Sequence, residues 1–379
     1  MPKLGERVLI AGGGIGGLAA AIALGRRGIE AKILERSRFT EETGAGIQLG
    51  PNATRALAAL GVLDAIEPRG FRPDAILIYD GISGRRLTSV PLGKDAEQRY
   101  GAPYLTLHRA DLHAGLRPDG DRRPRRRCRG ESRRWERGEG REPDRRRRPV
   151  VHGSPADHAR GSLALHRRHR LARAPAAQQP SSPFDAPVVG LWLGPGTHLV
   201  HYPVRGGDDL NIVAVTEGGA ARQGWNQSGS AETLLASFTR WTKDSKSLLE
   251  RAQGWRSWSL YRLAAVSRWS AGPVTLLGDA AHPVLPFLAQ GGALAIEDAV
   301  TLAACVAACP GDPPAAFRRY EALRRPRASC VQRLSRRFGW LYHVRGPMRL
   351  ARNLVLARRS EETALQRLDW LYRDENERA

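Results

Sequence analysis

The stretch Arg7-Val8-Leu9-Ile10-Ala11-Gly12-Gly13-Gly14-Ile15-Gly16-Gly17-Leu18, continuing to Glu35, decides the fold. Val8 to Ala11 is a short apolar run ending in glycine, the pattern of a buried strand. Gly12, Gly14 and Gly17 satisfy G-x-G-x-x-G, and Leu18 to Leu24 has helical composition ending near Gly28. A second strand, Glu30 to Leu34, then delivers Glu35. Each part has a mechanical job in holding a dinucleotide. The glycines permit a tight turn and close approach of backbone to a pyrophosphate. The helix start offers free N–H groups and a positive dipole end, and the acid about 20 residues on can accept ribose hydroxyls.

A second glycine-terminated strand lies far downstream at Val274 to Leu277, followed by Gly278-Asp279-Ala280-Ala281-His282-Pro283. It sets a carboxylate at a strand tip. Ala289-Gln290-Gly291-Gly292 then opens a helix running to about Ala308, with Leu294, Val300, Leu302 and Val306 apolar and Glu297-Asp298 polar. The start of this helix is a second dipole-positive end, suited to a developing anion. His282 beside Asp279 could form a dyad, but the strand-end loop is already explained as a seat for a dinucleotide's reactive ring, so His282 reads as structural.

These residues, together with Gly44 to Leu49 and Leu107-His108-Arg109-Ala110-Asp111-Leu112, resemble the single-component FAD-dependent aromatic hydroxylases, nearest the salicylate hydroxylase and 3-hydroxybenzoate 6-hydroxylase branch. The resemblance covers roughly 1–116 and 187–379. It implies an α/β chain: a Rossmann-like FAD-binding domain of the GR2 type with an inserted β-sheet substrate domain. The flavin segments would be 1–75, 101–180 and 268–310, the substrate domain 76–100 and 181–267, and 311–379 C-terminal helices. It implies FAD, with NADH or NADPH as co-substrate. The cofactor contacts would be Gly12, Gly14, Gly17, Glu35, Arg36, Gln48, Arg109, Asp279, Gly291 and Gly292. The reaction implied is hydroxylation of a phenolic or aromatic acid by O2 through a flavin C4a-hydroperoxide. Two alternatives are an inactive remnant and a flavin oxidase or reductase that inserts no oxygen.

That chemistry needs a base, because a phenol of pKa near 10 is a weaker nucleophile than its phenolate. In Thr197 to Val204, alternation puts His198, Val200 and Tyr202 on one face and His201 on the other. His198 and Tyr202 resemble the base and the orienting hydroxyl of the 3-hydroxybenzoate branch. Pro286 and Phe287 would border the substrate ring. That branch has Gln at the Pro286 position, so its regiochemistry does not transfer. No metal site is expected.

Charge marks where the resemblance stops. The 379 residues hold 60 Lys+Arg against 38 Asp+Glu, a net +22. Residues 117–180 alone contain 20 Arg and no Lys against 8 acids, a local +12. The family's G-A-D-G-x-x-S-x-V-R and A-W-R-G-L motifs are missing from this stretch. Four CGN arginine codons and a proline codon, read one base later, give GNC four times, which permits G-A-D-G across 145–149. The same shift permits the second motif across 165–175. We read the segment as a frame disruption starting soon after Leu116 and ending between Pro175 and Pro187. A nucleic-acid arm fits less well, since stacking aromatics are scarce and selection for charge does not exclude Lys. A cytoplasmic setting follows from four Cys with no disulfide or zinc spacing, which read as buried thiols, and from no apolar run of about 20 residues. No membrane or nucleic-acid partner is expected. Phe317, Tyr320, Leu323, Val331, Leu334, Phe338 and Leu341 step at helical period and read as packing, within the chain or across a homodimer.

Overall fold

The computed structural model describes residues 7–35, 46–117, 150–152, 164–176, 183–217, 227–228, 231–252, 254–262 and 266–373. Its first sheet holds five strands. In spatial order they are β14 (Ser270–Ala271), β15 (Val274–Leu276), β7 (Val150–His152), β1 (Val8–Ala11) and β2 (Ala31–Leu34). From β15 to β2 every pairing is parallel, and β14 is antiparallel to its neighbour. Parallel strands need crossovers, and the Ile15–Gly25 helix supplies the one from β1 to β2. Val8 and Ile10, which share one face of β1, are buried beneath it, while Leu9 and Ala11 on the other face are half-buried.

The second sheet has eight strands: β12 (Gln227–Ser228), β13 (Arg256–Arg262), β8 (Ala164–Ala176), β11 (Asp209–Glu217), β10 (Thr197–Val204), β9 (Val189–Gly194), β4 (Ala75–Asp80) and β5 (Arg86–Pro91). All of its pairings are antiparallel except that of β4 with β9. A two-stranded ribbon, β3 (Gly46–Leu49) with β6 (Leu105–His108), lies between this sheet and the helix Gly291–Ala308. Two pieces of the Arg-rich stretch are described. β7 fills the place between β1 and β15, and β8 pairs with β11 and β13. The positions matched above to G-A-D-G, 145–149, lie outside the described residues.

The Gly291–Ala308 helix ties the layers together. It packs on the Ile15–Gly25, Pro51–Ala59 and Pro313–Tyr342 helices. It is the one helix among the described residues long and apolar enough to cross a membrane, yet half of it is buried inside the protein. The polar positions Glu297 and Asp298 do not face solvent: Asp298 is fully buried, because Arg324 and Arg327 of the next helix meet the two carboxylates. Of the three described cysteines, all free, only Cys305 is buried, so Cys309 and Cys330 depart from expectation. Leu323 departs too. It is exposed, while Phe317, Tyr320 and Val331 pack inward.

Candidate active site

The glycine loop is built for close contact. Gly12 has φ 107°, in the left-handed region. A Cβ at Gly17 would overlap the Gly12 carbonyl, so the helix can sit on the loop only without a side chain there. A Cβ at Gly14 would meet nothing within 4 Å, which leaves open space over the loop. The helix behind it begins with no side-chain cap and no acid in its first turn, so its first N–H groups lack a capping acceptor. Glu35 Oε2 accepts from Gly13 N–H at 2.7 Å, placing its carboxylate at the loop. Arg36 lies outside the described residues.

A residue missed in the sequence supports this loop. His113 Nε2–H donates to the Gly13 carbonyl at 2.8 Å. A carbonyl can only accept, so this assigns the proton to Nε2. Burial holds the imidazole pKa below its usual value, although the Gly13 bond opposes that. The bond docks the Arg109–Gly115 helix on the glycine loop, with exposed Arg109 as its first residue.

The second glycine loop lies against the first. A Cβ at Gly16 would come 2.7 Å from Leu277 and 3.3 Å from Ala295. Asp279 is exposed at the loop tip, with Oδ1 3.9 Å from the place a Gly291 Cβ would take. The Gly291–Ala308 helix starts like the first, without a side-chain cap or an acid in its opening turn. Ala289, at φ 52° and ψ 33°, turns the chain into it, a left-handed conformation costing a residue with a Cβ about 1–2 kcal/mol. At Gly292 a Cβ would press within 2.7 Å of Ile47, so β3 runs along the helix opening. Gln48 on β3 accepts from the buried Tyr104 hydroxyl at 2.8 Å.

Behind this loop is a buried charge cluster. Asp298 accepts from Gly278 N–H at 3.2 Å, His282 Nε2 at 2.5 Å and Arg324 Nε at 2.8 Å. Glu297 accepts two bonds from Arg327, at 2.7 and 2.8 Å, and one from Asn52. Burial alone would raise both carboxyl pKa values. The opposing charges outweigh it and hold each at about 2. Burial lowers the His282 pKa, and the Asp298 charge and bond raise it further, for a net rise. His282 therefore pairs with Asp298 rather than Asp279, in the structural role the loop suggests.

The eight-stranded sheet meets this region with one face. Alternation on β10 holds. Leu199 and His201 point into a core with Trp192, Phe238 and Trp241, while Val200 and Tyr202 face the other way. His201 is fully buried with neither ring nitrogen hydrogen-bonded among the described residues, and burial lowers its pKa to about 3. His198 lies with its ring centroid 5.6 Å from Phe287 and 5.5 Å from Tyr342. Its Nδ1 is 2.8 Å from Nε2 of His343, a partner 145 residues away that sequence spacing did not suggest. Tyr202 is brought to the β3–β6 ribbon: a Cβ at Gly46 would lie 2.7 Å from its hydroxyl. Phe287 is buried, whereas Pro286 is exposed. His198 and Phe287 meet directly, and Tyr202 lies further along the same face, against β3.

Two uncapped helix starts side by side, one behind a dinucleotide loop and one beside a loop-tip carboxylate, fit FAD laid across both. This is the site of a flavoenzyme. The FAD binding domain family matches residues 6–118 and 172–335, leaving out most of the Arg-rich stretch. The chain is 35% identical to a 3-hydroxybenzoate 6-hydroxylase of Polaromonas naphthalenivorans (strain CJ2), over 96% of this chain and 95% of that one. It is 36% identical to a 3-amino-4-hydroxybenzoate 2-monooxygenase of Streptomyces cremeus, over 97% and 94%. The fold matches Klebsiella pneumoniae HpxO complexed with FAD and uric acid, with TM-score 0.79, 22% identity and coverage of 96% and 95%. It also matches a salicylate hydroxylase substrate complex, with TM-score 0.76, 20% identity and coverage of 98% and 96%. The chain belongs to the FAD binding domain family and, within it, to the FAD-dependent aromatic hydroxylases, monooxygenases that take electrons from NADH or NADPH.

Proposed function

We propose that this chain hydroxylates a small aromatic acid bearing a ring hydroxyl, on the face of the sheet formed by His198, Val200 and Tyr202. The observation that supports this reading is the meeting of His198 with Phe287, in the turn just before the helix opening at Gly291. FAD held between the two helix starts would supply the redox chemistry, carrying reducing equivalents from NADH or NADPH to O2 for hydroxylation of the ring.

The chain's own residues do the rest. Glu35 holds the adenosine ribose, Arg109 neutralises pyrophosphate charge, and Asp279 accepts from ribityl hydroxyls. Gln48 borders the ring system from β3. The N–H groups at Gly291 and Gly292 stabilise negative charge at the helix opening. His198 takes the phenol proton, which raises the ring's electron density where attack occurs. Its Nδ1 is engaged by His343, so the phenol meets Nε2. Tyr202 orients the substrate by a hydrogen bond. Phe287 and Tyr342 cover the ring and exclude water, which would otherwise divert reducing power to hydrogen peroxide.

The test is purified holoenzyme with a panel of hydroxylated benzoates. The expected result is substrate-stimulated NADH or NADPH oxidation and a product heavier by one oxygen. Stimulated oxidation that yields only hydrogen peroxide would refute the hydroxylase reading for those compounds.

A further inference from the structure

Asn211 on β11 stands directly across from Tyr202 on β10, and it is 6% exposed. Its Oδ1 accepts from Gly46 N–H at 2.8 Å. A backbone N–H can only donate, so the bond fixes which end of the amide faces the ribbon and turns Nδ2 the other way. That nitrogen has no hydrogen-bond partner among the described residues. A buried amide donor without an acceptor opposes folding, and such groups are normally satisfied. An unsatisfied one beside a binding face is accounted for when a ligand supplies the acceptor.

Its location narrows the ligand. The strands around it carry Val200 and Val213 on the same face, with His198 at the far end. His198 and Tyr202 are four residues apart on β10, about 13 Å along an extended strand. A ring held by its hydroxyl at the His198 end would present a second polar group toward the Asn211 end.

We propose that Asn211 is a substrate-binding residue whose Nδ2 donates a hydrogen bond to the carboxylate of the aromatic acid. This rests on the hydroxylase reading above. The flavin also carries acceptor oxygens near β3, so the experiment separates the two sources.

Asn211→Asp keeps an oxygen for Gly46 N–H and replaces the donor with a negative charge. Dissociation constants are measured on wild-type and variant holoenzyme from flavin absorbance changes, with 3-hydroxybenzoate and with phenol, which lacks the carboxylate. FAD affinity is measured on the apoproteins. The expected result is a loss of about 10- to 100-fold for 3-hydroxybenzoate, the range of a charge-assisted bond. Phenol and FAD should change less than about twofold by the same reasoning. Equal losses for both ring compounds, or no loss, overturn the proposal. Lost FAD affinity with intact 3-hydroxybenzoate binding overturns it in favour of a flavin contact. Should Asn211→Asp yield no holoenzyme, Asn211→Ser removes the amide donor without adding charge and carries the same comparison. A wild-type holoenzyme that binds no hydroxylated benzoate sinks the hydroxylase reading itself. Binding that Asn211→Asp leaves unchanged sinks only the assignment of Asn211.

Discussion

Replacing Asp298 by Asn tests whether the buried charge cluster is what holds the Gly278 loop in place. Asp298 is fully buried and accepts from Gly278 N–H, His282 and Arg324, so each of its oxygens is committed to donors. Asparagine keeps the shape but turns one oxygen into an NH2 group. That group must face either Arg324 or the Gly278 and His282 donors. It also removes the negative charge that pairs with Arg324, itself 2% exposed. Breaking one partner of such a pair costs about 3–5 kcal/mol; here Glu297 is left as the one carboxylate shared by Arg324 and Arg327, so one buried positive charge is in excess. The assay is urea denaturation of the apoprotein at pH 7, followed by tryptophan fluorescence. The apo form is used so that FAD binding does not add its own stabilisation. The expected loss is about 3–5 kcal/mol with little change in slope. Because the excess positive charge is the costly species, and Arg327 alone still neutralises Glu297, Arg324→Met in the Asp298→Asn background should recover part of it. A single-variant loss below about 1 kcal/mol would mean that water solvates the cluster, and the reasoning fails. A double variant less stable than the single one refutes it equally.

Other outcomes follow from the same geometry. Gly17→Ala should abolish FAD retention, since its methyl group overlaps the Gly12 carbonyl; a yellow protein with normal 450 nm absorbance would contradict that. His198→Gln should lower kcat about 100-fold or more at pH 7, the usual worth of a positioned base. His343→Gln should lower it less, and restored activity at high pH, where substrate ionises unaided, would mark His198 as the base. His201 predicts an acid sensitivity. Its folded pKa, about 3, lies below its unfolded value near 6.5, so the unfolded chain binds the extra proton. Stability therefore falls as pH drops from about 6.5 toward 3, by about 1.4 kcal/mol per unit. His201→Leu should flatten that fall; an unchanged slope between pH 6.5 and 4.5 would sink it. Below pH 4.5 Glu297 and Asp298, whose folded pKa values are depressed to about 2, add their own loss.

What could be read from the sequence followed the range of the physics. Gly12, Gly14 and Gly17 are legible because each answers a local demand of a tight turn against a helix. The facing of His198, Tyr202 and His201 is legible because a strand repeats every two residues. The His198–His343 contact, the Asn211–Gly46 bond and the arginines that bury Glu297 and Asp298 are not. They join residues tens to hundreds of positions apart, and no periodicity encodes such a pairing. His113 was within reach, one helical turn after Arg109 and directly following a motif already singled out. The Arg-rich stretch stands apart, since the family match largely omits it while β7 and β8 within it still join both sheets.

The two-sidedness of β10 and β11 has an evolutionary consequence. Leu199, Ile212 and Ala214 are fixed by the tryptophan-lined core beneath them, so changes there cost stability. His198, Val200, Asn211 and Val213 occupy the intervening positions and can be exchanged without disturbing that core. On the function proposed above, a sheet arranged this way lets the accepted ring drift among descendants while the scaffold stays put. Relatives of equal overall similarity can then act on different aromatic acids.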